Sequence, residues 1–333
     1  MGKFDGLMGR YLRDRERFAD LINGILFNGE RIISPEALER EAGDYLGEIE
    51  EDKKGIKRRY RDLKMRSGRD GQFQIFSLEN QSFVDYTMPL RCMEYDLLEY
   101  LEQLTELKKS YKMKQIDLHG AEKLSGIKRG DKLLPVYTIC LYHGETKWDG
   151  PRSLSDMIQL GEGENSNRYF SDYPMRLYCI NEQKDFQAFH TELRQFFQIL
   201  GYRGNKDKLE ELIENSVEYQ NLSEETFEMI VVFLGMSELW KIRDKFKNDD
   251  HEGKGYNMCQ AIRELRAEER AIGRGIGLTE GLEQGLEQGI RALITTCKRL
   301  GVSYENTEES VRREFKLSDD EIVNNMTLYW NKE

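Results

Sequence analysis

No run of about 18 apolar residues occurs anywhere in the 333-residue chain, so no segment reads as a membrane span. The opening stretch MGKFDGLMGRYLRDRER also lacks the apolar core of a secretory signal, so the expected compartment is the cytoplasm, with no membrane partner. Histidine is scarce: the four at 119, 143, 190 and 251 never take the H-E-x-x-H spacing of a zinc helix. The five cysteines (92, 140, 179, 259 and 297) are odd in number and form no C-x-x-C pair. A disulfide framework and a thiolate zinc site are therefore both unexpected, and any metal would have to sit on carboxylates. Net positive charge is missing too. At −11 the chain is not built to be coated in nucleic acid over its whole surface.

What is present is a polar but foldable composition, 38% hydrophobic, 11% aromatic and 33% charged, which is richer in Phe, Tyr, Leu and Ile than a disordered chain. Charge is segregated along it. Residues 36–52 hold eight acids and one Arg, whereas 53–69 hold nine Lys and Arg around the lone acid Asp62. Such a run is a solvated face or, beside a metal site, a groove for phosphates through Arg58, Arg59 and Arg61.

The periodicity predicts a helix over 14–28, with Phe18, Leu21, Ile22, Ile25 and Leu26 on one side, Asp14 as N-cap and a stop at Asn28-Gly29. Between 59 and 81 the period falls to two, and Asp70-Gly71 is a strong signal for a two-residue hairpin turn. With those two residues at the turn, Leu63 opposes Leu78, Met65 opposes Phe76, Lys64 opposes Ser77 and Asp62 opposes Glu79. One face is then apolar, while the other gathers Tyr60, Asp62, Lys64, Glu79 and Gln81.

Residues 85–113 read as a long helix whose stripe of Met93, Leu97, Leu98, Leu101 and Leu104 is expected to cover the apolar side of the hairpin. The segments 132–144 and 174–180 read as buried strands, with a turn entering a helix at WDGPRSLSDMI between them. Asp20, on the first helix, is expected at the helix surface, the other reading being a further acid near a metal. From 184 the pattern is helical, ending in a charged helix 257–272, a stretch with Gly277, Gly281, Gly285 and Gly289 four apart, and two short helices with Trp330 as an aromatic anchor. The glycine stripe is either a contact face for another helix, as in a homo-oligomer, or a weakly ordered connector. The expected fold class is α/β, a mixed sheet with flanking helices followed by a helical C-terminal region. The expected division is 1–185, 186–270 and 271–333.

The segments RYRDLKMR, IFSLENQS, MPLRCMEY and LLPVYTICLYHGETKWDGPRSLSDMI, followed by the Gly/Glu repeat, resemble the recombination-promoting nuclease or putative transposase family (YhgA-like) of the PD-(D/E)XK nuclease superfamily. The likeness runs over about residues 10–300. It implies a PD-(D/E)XK-like fold and a Mg²⁺-dependent (or Mn²⁺-dependent) DNA endonuclease, a hydrolase linked to recombination or transposition. Asp62 stands at the first-strand Asp and Glu79-Asn80-Gln81 at the (D/E)-x-K motif, making Asp62 and Glu79 the implied metal ligands. Gln81 replaces the motif's Lys, which removes a charge from the site. The residue chemistry agrees with this assignment, since Mg²⁺ takes oxygen ligands, Gln81 can orient a water, and Lys64 can offset developing charge. Arg91 and Tyr95, one helical turn apart, are candidates for contacting a DNA phosphate. The competing expectation is a catalytically degenerate relative that binds nucleic acid or itself.

Overall fold

The computed structural model describes residues 3–40, 63–69, 72–159, 169–248 and 255–331. The chain divides into two units, Met1–Ala261 and Ile262–Glu333.

The first unit is built on a five-stranded mixed sheet in the order β1 (Leu38–Arg40), β2 (Leu63–Arg69), β3 (Gln72–Gln81), β4 (Val136–Tyr142) and β5 (Arg176–Cys179). The β1–β2 and β2–β3 pairs are antiparallel, and the β3–β4 and β4–β5 pairs are parallel. The register of β2 and β3 is the one the Asp-Gly turn predicts: Leu63 pairs with Leu78, Lys64 with Ser77, Met65 with Phe76, and the ladder runs on to Arg69 and Gln72. The turn residues 70 and 71 lie outside the described residues, as do Asp62, Tyr60 and the basic segment holding Arg58, Arg59 and Arg61.

On one face of the sheet Leu63, Met65, Phe76 and Leu78 are fully buried. This face continues through Ile139 and Leu141 on β4, which pair with Leu78 and Asn80. Helix α1 (Lys3–Tyr11) lies on β3 and on the later helix α7 (Glu224–Phe233), while α2 (Arg15–Leu26) packs on α5 (Leu193–Tyr202). The N-cap of α2 forms as expected, with the Asp14 side chain accepting from Arg17 N at 3.0 Å. After the helix, Asn28 and Gly29 take positive φ (51° and 86°). At Gly29 a Cβ would also meet the Ala188 carbonyl oxygen at 2.9 Å, so only glycine fits.

Three details depart from the sequence reading. Strand β1 is an addition, a three-residue edge too short to give a period-2 signal. Between β4 and β5, where a helix is expected, the described residues form a 3₁₀ turn, Ser155–Met157, closed by Asp156 and Asp172 accepting from nearby backbone N–H groups. The largest departure is the long helix α3 (Met88–Met113), which covers the opposite, polar face of the hairpin. It buries Cys92, Tyr95, Asp96, Glu99 and Gln103, and leaves the Leu/Met stripe outside.

In the second unit the charged helix and the glycine repeat form one helix that begins in the first unit, α9 (Met258–Arg299). The two tail helices form as expected, as α10 (Tyr304–Phe315) and α11 (Asp319–Trp330). Ile290, Ile294, Val311, Ile322, Met326 and Tyr329 make this unit's core. A capping box joins Ser318 and Glu321 at the start of α11, and Trp330 meets the Tyr304 ring edge-on.

Among the described residues, a Cβ at Gly289 would meet the Phe315 ring at 3.2 Å, whereas one at Gly277, Gly281 or Gly285 would meet nothing within 4 Å. Gly281→Ala and Gly285→Ala should therefore each raise helix stability by about 1 kcal/mol. Thermal melting followed by circular dichroism checks this. A lower melting temperature would mean that a partner presses on these glycines.

Candidate active site

The residues that point from β3 toward α3 are Ser77, Glu79 and Gln81, and their neighbours across the parallel ladder are Thr138, Cys140 and Tyr142. Glu79 is buried, only 1% exposed. Its neighbourhood is largely apolar, since Met88 and Cys92 of α3 join Cys140, Tyr142, Trp148, Met175 and Cys179 in one core cluster. A lone carboxylate in such a place would not stay ionised without a partner. The partner is Arg91, whose Nη2 donates to Glu79 Oε2 at 3.2 Å.

Arg91 is itself anchored three ways. Its Nη1 donates to Asp85 Oδ2 at 2.6 Å, and its Nη2 also reaches the Tyr95 hydroxyl at 3.5 Å. Burial alone would favour discharging the guanidinium, but the hydrogen bonds to Tyr95 and Asp85 and the charge of Glu79 outweigh it and raise its pKa. Asp85 receives the matching effect. Burial opposes its ionisation, yet donors from Thr87 and Arg91 hold its pKa below the ordinary 3.8. The Cys140 thiol beside Glu79 is pushed well up, first by burial and then by Cys92 and Glu79, so it is an inert neutral wall.

A depressed carboxyl contributes stability that is present above its unfolded pKa and is lost as pH falls through the folded one. Arg91→Ala should therefore move the Asp85 titration up toward 3.8 and shift part of the acid unfolding to higher pH. A ¹³C carboxyl NMR titration would show it. An unmoved Asp85 curve would mean that Thr87 alone holds the carboxylate.

Lys64 lies on the same face, but its ammonium is held by α3. It is 2.9 Å from Glu99 Oε2 and 3.8 Å from Glu102 Oε2. Tyr95 is buried, with its hydroxyl turned to Arg91, and is not displayed at the surface. Gln81 is half-buried at the end of β3, where its carbonyl accepts from His143 N at 3.0 Å. Asp20 is also not at a helix surface. It is buried and accepts from His190 N, Thr191 N and the Thr191 hydroxyl, an anchor for the loop before α5 and not a site acid.

Residues that the sequence reading passed over complete the polar layer. Asp96 accepts from the Thr138 hydroxyl at 2.5 Å and the Tyr173 hydroxyl at 2.6 Å. Gln103 brackets the Leu134 backbone with both ends of its amide. A signal for them existed: Arg91, Tyr95, Glu99 and Gln103 recur every four residues, so they share one side of a helix. Among the described residues no group of three or more His, Cys, Asp and Glu stands ready for a metal. Set against family models, curated proteins and solved structures, the chain matches none of them.

Proposed function

We propose that the chain is a PD-(D/E)XK-type nuclease that hydrolyses DNA phosphodiesters with Mg²⁺ or Mn²⁺, in the recombination or transposition role that its YhgA-like motifs imply. The observation that carries the reading is Glu79, a buried carboxylate in the sheet interior, charge-paired to Arg91, with Gln81 next on the same face. The pairing expected from the Asp-Gly turn would set Asp62, which lies outside the described residues, opposite Glu79.

These groups suit a hard cation, since Mg²⁺ is held by one or two carboxylates together with waters and substrate phosphate oxygens. Asp62 and Glu79 would be its ligands. Bound there, the metal would supply a more acidic water and a polarised phosphodiester oxygen. The protein's own groups do the rest. The Gln81 amide orients a water by hydrogen bonding, without the charge of a Lys. Arg91 offers a cation to a phosphate once Glu79 turns elsewhere, while Asp85 keeps it positioned. Lys64, tied to Glu99, offers field more than contact.

The Arg91–Glu79 ion pair also favours a second reading, because it already satisfies the charge that a metal would satisfy. On that reading the protein binds DNA through Arg58, Arg59 and Arg61 without cutting it, and the binding weakens steeply with salt. A plasmid-nicking assay with Mg²⁺ and Mn²⁺, run beside metal-dependent melting, separates the two. Nicking with a metal-induced rise in melting temperature supports the nuclease. Salt-sensitive binding with neither supports the binding module.

A further inference from the structure

Helix α3 is amphipathic in the inverted sense, and its outer side is an apolar face left in water. Leu90, Met93, Leu97, Leu98 and Leu101 are 45%, 39%, 53%, 51% and 48% exposed, while the side facing the sheet carries Asp96, Glu99 and Gln103. Contiguous apolar stripes of this kind mark contact surfaces. At 100° per residue, Leu90, Glu94, Leu97, Leu101, Thr105, Lys108 and Lys112 all fall within about 40° of the Leu101 direction. The stripe therefore has an acid toward its N-terminal end, leucines in the middle and two lysines toward its C-terminal end.

Lys108 is half-buried with its stem beside Gly126, whereas Glu94 and Lys112 are exposed. Glu94 and Lys108 are equidistant from Leu101, and so are Leu90 and Lys112. A second α3 laid antiparallel about a two-fold axis at Leu101 would thus set Glu94 of each copy against Lys108 of the other. Leu98 would meet Leu104, Leu101 would meet itself, and Leu90 would be covered by the methylene stem of Lys112. A parallel pair would instead set Glu94 on Glu94 and Lys108 on Lys108. The stripe matches its own reverse in charge at Glu94 and Lys108, while Leu97 of one copy would face Thr105 of the other.

We infer that the outer face of α3 is a homodimer interface, in which two copies of this chain pair their α3 helices antiparallel about Leu101. The inference does not depend on the nuclease reading. Because Glu79 and Arg91 are held on the sheet side of α3, pairing leaves each copy's polar layer uncovered by the other.

Sedimentation equilibrium of the full chain tests it. The wild type should dimerise, and Leu97→Glu with Leu101→Glu should raise the dimer Kd at least about 100-fold with an unchanged circular dichroism spectrum, since both positions are exposed. Glu94→Lys and Lys108→Glu should each weaken the dimer by about 10-fold, and combining them should restore it, because the swapped pair attracts again. In a Cys297→Ser background, mild oxidation should link Leu101→Cys into a covalent dimer but not Leu90→Cys, which faces residue 112.

A wild type that stays monomeric at about 50 µM overturns the inference. So does a dimer that survives Leu97→Glu with Leu101→Glu but is lost on Gly281→Leu with Gly285→Leu, which would assign association to the glycine stripe of α9. Failure of both the charge swap and the Leu101→Cys link would refute the antiparallel pairing.

Discussion

Glu79→Gln is expected to eliminate Mg²⁺-dependent nicking, a loss of at least about 100-fold, while the protein stays folded. The substitution keeps the volume and one oxygen, so the apolar walls of Met88, Cys92 and Cys140 remain packed. It removes the charge that would hold a cation. Breaking a buried ion pair costs about 3–5 kcal/mol when the surviving charge is left alone. Here Arg91 keeps Asp85 at 2.6 Å and the Tyr95 hydroxyl, so a smaller penalty of about 1–2 kcal/mol follows. Loss of Glu79 therefore costs the metal-free protein stability, because Glu79 faces a guanidinium at 3.2 Å. Gln81→Lys should raise the nicking rate or leave it unchanged. Nicking by Glu79→Gln at the wild-type rate would remove Glu79 from the chemistry, and a wild type that neither nicks DNA nor melts higher with Mg²⁺ or Mn²⁺ would leave the binding module standing.

The second large effect is on stability and lies far from that site. Asp20→Ala should lower unfolding free energy by about 2–4 kcal/mol, because it strands three partly buried donors at once, each worth about 1–3 kcal/mol with partial relief from water. The donors are His190 N at 2.9 Å, Thr191 N at 2.8 Å and the Thr191 hydroxyl at 2.6 Å. Together they fix the entry to α5, whose Phe196 and Phe197 lie in the core beside Phe189. Urea denaturation reads the loss as a lower midpoint with an unchanged slope. Asp20→Asn, which keeps one acceptor, should recover part of it. A change below about 0.5 kcal/mol for Asp20→Ala would return Asp20 to the surface role its helix position first suggests.

The sequence by itself determined the features whose causes are local. The α2 cap follows from Asp14 standing before an amphipathic run, and the hairpin register follows from Asp-Gly between two alternating segments, because a two-residue turn leaves one pairing that keeps Leu63, Met65, Phe76 and Leu78 on one side. Strand β4 was legible as a continuous apolar run because a parallel strand with both sides covered has no polar alternation to show. The capped helices of the tail follow the same logic.

Only the tertiary structure decided which side of α3 meets the sheet. Periodicity states that a helix has two unlike faces, and the usual inference turns the apolar one inward. In α3 the polar face goes in, since Asp96, Glu99, Gln103 and Arg91 each find a specific partner, namely Thr138 and Tyr173, Lys64, the Leu134 backbone, and Glu79 with Asp85. Those partners lie between 6 and 77 residues away along the chain. The burial of Glu79, the capture of Lys64 by Glu99 and the exposure of the Leu/Met stripe all follow from that one placement, which no local pattern encodes. A buried polar group is stable only when its hydrogen bonds are made, and whether they are made is a property of the assembled chain.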